Sequence, residues 1–138
     1  MRGGFVMLGI KKQLIKSMIK LEVVGNTPGK LQVYIAQIKK IEEEYKHYEF
    51  YAKNAIALLD GVNDLLIDYQ KGIATILYDT SKVNAQKIYR WLQVIVDIGV
   101  EYYDELKPIW EKEGDEDQKV EEIWQRMRPV LIKALNKV

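Results

Sequence analysis

The residues best equipped for chemistry cluster in EEEYKHYE, where His47, the only histidine of the chain, follows Glu43 and Glu44 by four and three positions. On a helix this spacing sets a carboxylate and an imidazole on one face. Two Glu-x-x-His pairs of this kind build di-metal centres in helical bundles. This chain carries one pair, so a second copy in a homodimer would have to supply the other. Glu44, His47 and Tyr48 therefore form a candidate hard-metal site of an iron carrier, with Tyr51 close by in sequence. The competing reading of the same residues is a solvated charged helix face.

Other chemistries lack their parts. The chain has no cysteine, which removes disulfides, thiolate metal sites, iron-sulfur clusters and cysteine nucleophiles together. One histidine excludes a multi-histidine zinc or iron triad within one chain. GNTPGK at 25–30 ends in Leu31 where a phosphate-binding loop needs serine or threonine. Ser17 and Ser81 have no histidine partner in a recognisable motif. Asp64 and Asp68 fall on one face of a strand, as a polar outer face would place them. The expectation is a protein without catalytic residues and without a cofactor.

Charge is uneven although the net value is +1. Residues 1–40 hold eight basic side chains against Glu22 alone, whereas 41–100 and 101–138 are each mildly acidic. A basic front attracts anionic lipid, nucleic acid or an acidic protein. Lys71, Lys82, Lys87 and Arg90 beside Tyr89 and Trp91 resemble a nucleic-acid surface, but their region is net negative and carries no RNA-binding aromatic motif. No nucleic acid is expected.

These residues must be positioned by a single domain, since 138 residues support one real core. From Leu8 to Leu21, apolar Leu14, Ile15, Met18 and Ile19 face away from Lys12, Lys16 and Lys20 at helical spacing. That amphipathic helix either packs on its own domain or offers Lys12, Lys16 and Lys20 to a membrane or partner. Its end is ambiguous, because Ile19, Leu21 and Val23 also alternate as a strand that could pair across GNTPG with Leu31, Val33 and Ile35. Leu31 to Ile38 reads as a strand. Steps of three and four from Ile38 through Ile41, Tyr45, Tyr48, Ala52 and Ala55 to Leu59 predict a helix of about six turns ending near Gly61.

Val62 to Tyr69 and Ile73 to Tyr78 alternate as two strands around Gln70-Lys71-Gly72. Asp79, Thr80 and Ser81 supply N-cap candidates for the helix that follows. Its seam, from Ile88 through Leu92, Ile95, Gly99, Tyr102 and Leu106 to Ile109, favours a long helix over a fourth strand at 98–103, with Pro108 kinking or ending it. Val120 to Leu135 marks a last helix. The fold expected is α+β: a three-stranded antiparallel sheet in a β-α-β-β-α core with two long helices, plus N- and C-terminal helices. The organisation is a basic extension at 1–27, a central domain at 28–112 and a C-terminal helix at 113–138.

Residues 28–97 resemble a heavy-metal-associated domain of the second, cysteine-free type, of the ferredoxin-like metal-domain superfamily. The resemblance rests on PGKLQVYI, Pro28 to Ile35, and on LLDGVNDLLIDYQKGIATILYD, Leu58 to Asp79, with its Gly61-Val62 step, Gly72 and Tyr78-Asp79. It implies a non-catalytic adaptor in transition-metal homeostasis, partnered by a P-type metal-transporting ATPase. Where ordinary members carry a Cys-x-x-Cys loop, Ala36-Gln37-Ile38-Lys39-Lys40 has no thiol and two lysines that repel cations. A cytoplasmic location, peripheral to a membrane if the basic helix attaches there, completes the expectation.

Overall fold

The computed structural model describes residues 18–138. Lys12, Lys16 and nearly all of the expected N-terminal helix lie outside the described residues. The described chain is α+β, with a four-stranded antiparallel sheet in the order β1-β2-β4-β3 and four helices. The strands are β1 (Glu22–Thr27), β2 (Lys30–Tyr34), β3 (Val62–Asp68) and β4 (Ile73–Tyr78).

The sheet has one strand more than expected, and the extension supplies it. β1 pairs with β2 in a hairpin that sets Val23 against Val33, so the strand reading of this segment prevails from Glu22 onward. Pro28 and Gly29 make the turn, and Gly29 takes φ +78°, which glycine adopts without a Cβ penalty. On the other side, β4 lies between β2 and β3 and is antiparallel to both. β2 and β3, joined by a helical connection, thus form a split β-α-β unit.

That connection is the main correction. In place of six α-helical turns, residues Ala36–Lys40 and Glu43–Tyr48 form two 3-10 segments, and only α1 (Glu49–Ala57) is α-helical. Ile41 between them is extended, with φ −70° and ψ 120°. Ile38, the first member of the seam, is buried in the core, but the next two are not: Ile41 is 37% exposed and Tyr45 42%. A short helix depends on burying its apolar stripe, and here burial is interrupted after Ile38 and resumes towards α1.

After β4 the chain enters α2 (Ala85–Glu101) through a turn in which Asp79 accepts from the Ser81 N–H at 2.9 Å. The cap is Asn84 and none of the three residues expected: its Oδ1 accepts from the Lys87 N–H at 2.9 Å. Residues 98–109 are helical, as the seam predicts. The break comes at Tyr102, where φ is −94° and ψ 5°, and Pro108 sits inside α3 (Tyr103–Glu111) without ending it. The final helix, α4 (Glu116–Leu135), runs through Pro129 and is capped by Asp115, which accepts from the Asp117 N–H at 3.0 Å.

All helices that build the core lie on one side of the sheet. Leu31, Val33, Leu65, Ala74, Ile76 and Tyr78 point inward, against Ala55 and Ile56 of α1, Ile88, Trp91 and Leu92 of α2, and Trp124, Met127 and Leu131 of α4. The C-terminal helix is therefore part of the same core as the central strands. Among the described residues no helix is long and apolar enough to cross a membrane.

Candidate interaction surface

Among the described residues, no helix covers the side of the sheet turned away from the core. Alternation along each strand decides what it displays, because successive residues point to opposite faces. With Leu31 and Val33 inside, β2 presents Lys30, Gln32 and Tyr34 outward; with Ala74 and Ile76 inside, β4 presents Ile73, Thr75 and Leu77. β3 adds Asp64, Leu66 and Asp68, and Leu66 is 48% exposed.

The strand register arranges these residues in rows. Asp64, Leu77 and Lys30 stand side by side, then Leu66, Thr75 and Gln32, then Asp68, Ile73 and Tyr34. A hydrogen bond from Gln32 Nε2 to Thr75 Oγ1 at 3.3 Å runs along the middle row. Gln32 also covers Gly25 of β1, where an added Cβ would meet Gln32 Oε1 at 2.5 Å. The ammonium of Lys39 stands 5.3 Å from the centroid of the Tyr34 ring. The face thus has apolar Leu66, Ile73 and Leu77 around the Gln32–Thr75 bond, carboxylates along β3, Lys30 on β2 and Lys39 beside it.

A second feature lies on the helical side. The 3-10 segment Glu43–Tyr48 and α3 enclose a groove of about 530 Å³ walled by Tyr45, Tyr48, Tyr51, Tyr103 and Trp110, with Leu106 and Ile123 also lining it. Tyr103 and Trp110 meet edge to face at 5.0 Å between centroids. The Tyr48 hydroxyl is buried with no hydrogen-bond partner. Burial, then the nearby Glu116 carboxylate and Tyr45, push the Tyr48 phenol up to about 12, and burial alone pushes Tyr51 to about 12. Both phenols are neutral at ordinary pH.

Of the residues singled out for metal, His47 and Tyr48 line different clefts. His47 faces α4, where its Nδ1 lies 3.1 Å from Asp117 Oδ1 in a small cleft that Glu121 also lines. Tyr48 belongs to the aromatic groove instead. The side chain of Glu44 is outside those described. Among the described residues no three histidine, cysteine, aspartate or glutamate side chains gather closely enough to hold a metal ion. Asp117 is the histidine's partner from seventy residues away, and no local spacing could have pointed to it. Lys20 is exposed and lines a separate cleft of about 870 Å³ with Arg90, Asp97 and Lys137.

The outer face was readable as strand alternation, but its composition across strands depends on a register that sequence leaves open. Comparison with family models, curated proteins and solved structures finds no match to this chain.

Proposed function

We propose that this chain is a non-catalytic protein-interaction module, and that the open face of its sheet is the interaction surface. The observation that supports this is the set of apolar side chains, exposed Leu66 and half-buried Ile73 and Leu77, on a sheet face that no described helix covers, while the other face packs the core. Antiparallel sheets tolerate one face in water when that face is polar. Here Leu66, Ile73 and Leu77 surround the Gln32–Thr75 hydrogen bond and charged residues stand at the ends of the outer rows, a mixed apolar and charged layout suited to recognition.

The metal-handling setting implied by the resemblance to a heavy-metal-associated domain is part of the proposal. In that setting the chain contributes a protein surface, and a P-type metal-transporting ATPase is the first heterologous partner to test.

Site-specific photo-crosslinking in cells tests the reading. A photoreactive residue is placed at Leu66 or Leu77 on the open face and, for comparison, at Arg128 on the exposed side of α4. The expected result is discrete protein adducts from the two sheet positions and none from Arg128. Equal labelling from all three, or none from the sheet, would sink the proposal.

A further inference from the structure

We infer that the partner of the open face is a second copy of this chain, docked sheet to sheet about a two-fold axis that runs along β4. The inference rests on the reading of that face as the interaction surface and adds the identity of its occupant. Its warrant is charge complementarity in the two outer rows, both polarised in the same direction across β3, β4 and β2.

The first row runs Asp64, Leu77, Lys30, and the third runs Asp68, Ile73, Tyr34, with Lys39 poised over the Tyr34 ring. Both rows carry an anion at the β3 end, an aliphatic residue at β4 and a cation at or beside β2. A two-fold axis along β4 exchanges the β3 and β2 positions while leaving β4 over itself. Asp64 then opposes Lys30 of the second copy, and Asp68 opposes the Tyr34 and Lys39 pair. Leu77 meets Leu77, Thr75 meets Thr75, and Ile73 meets Ile73. Such an interface is isologous and self-complementary, as two-fold interfaces must be.

The alternatives place like charges together. An axis midway between β2 and β4 would bring β3 over β1 of the second copy, and Asp68 would then oppose Glu22, which pairs with Tyr34 in the register. An axis across the strands would stack β3 on β3, with Asp64 against Asp68 and Lys30 against the Lys39 side. Juxtaposed like charges disfavour both arrangements, so the pattern selects one orientation. Sheets packed in this way lie roughly 10 Å apart with strands nearly aligned. Exposed ion pairs add little affinity each, so the dimer is expected to be concentration-dependent and sensitive to salt.

Sedimentation velocity on the full chain over a wide concentration range provides the test. The expected mass rises from the 16.1 kDa monomer toward twice that value as concentration increases. Asp64→Lys should shift the midpoint of association at least tenfold to higher concentration, Lys30→Glu should do likewise, and the two together should restore it. Leu66→Lys, a change at an exposed position that leaves the core intact, should also weaken association. A chain that stays monomeric throughout, a midpoint indifferent to Asp64→Lys, or a double variant that is not restored would each overturn the inference. A monomer whose Leu66 and Leu77 positions still crosslink to a different protein would overturn it while leaving the proposed function standing. Absence of crosslinks at those positions would remove both.

Discussion

Trp91 Nε1 donates a hydrogen bond to the backbone carbonyl of Ala55 at 3.0 Å, joining α2 to the end of α1 beneath the sheet. Trp91 is fully buried, and Ala55 has no exposed surface either. The bond fixes where the short α1 sits, and α1 carries the crossover from β2 to β3. Trp91→Phe removes both the donor and the outer ring of the indole, while the carbonyl keeps its second donor, the Leu58 N–H at 3.3 Å. A loss of about 2–4 kcal/mol is expected from the cavity and the missing bond. Urea unfolding should show a lower midpoint with an unchanged slope.

Gly61 occupies a position that another residue cannot take without strain. Its φ is +101°, and an added Cβ would lie 2.7 Å from Val83 Cγ1 and 2.9 Å from Lys82 Cβ. Its carbonyl accepts from the Asp79 N–H at 2.8 Å, so it also ties the start of β3 to the end of β4. Gly61→Ala is expected to cost about 1–3 kcal/mol through backbone strain and the contact with Val83. Thermal unfolding of the variant checks this, and an unchanged midpoint would contradict it.

The elements that were legible are those specified by their own local residues. Gly72, with φ +71°, and Asp68, whose Oδ1 accepts from the Gln70 and Lys71 N–H groups, set the turn between β3 and β4 within a few residues. The helical seam over 98–109 is likewise local, continuing through Leu106 and Ile109, both buried. The elements that differ from the local pattern depend on distant partners. Ile41 and Tyr45 fit a helical period, yet they lie at the exposed groove and not in the core. β1 has only a brief alternation, and β2 decides it by offering a ladder. The rows of the open face and the pairing of His47 with Asp117 likewise exist only after folding.

Gly99 is the opposite case to Gly61. It lies within α2, lines the aromatic groove, and an added Cβ would meet nothing within 4 Å. Glycine weakens a helix interior by roughly 1 kcal/mol relative to alanine, chiefly through the entropy of the unfolded chain. Gly99→Ala should therefore stabilise the protein by about 0.5–1 kcal/mol. A higher unfolding midpoint is the expected outcome, and a lower one would show that the groove makes contacts at this position.

The buried phenols predict the alkaline limit of the fold. Tyr48 and Tyr51 are each raised from 10.0 to about 12, with burial the leading cause for both. A raised value means that the folded state holds the phenolic proton more tightly than the unfolded chain does. Unfolding therefore releases protons between pH 10 and 12, and stability must fall as pH rises through that window. Below 10 the two phenols are protonated in both states, and their contribution is constant. Urea midpoints measured from neutral to strongly alkaline pH should be insensitive to these groups at first and then decline steeply. Phenolate absorbance should show Tyr48 and Tyr51 titrating late among the nine tyrosines, with Tyr69 raised as well by burial and by Glu49 and Glu43. Tyr48→Phe separates the causes: it removes one late titration and makes the decline shallower. It also deletes a buried hydroxyl without a partner, so near neutral pH the variant should be more stable by about 1 kcal/mol. A loss of stability there would mean that the hydroxyl has a hydrogen-bond partner in solution.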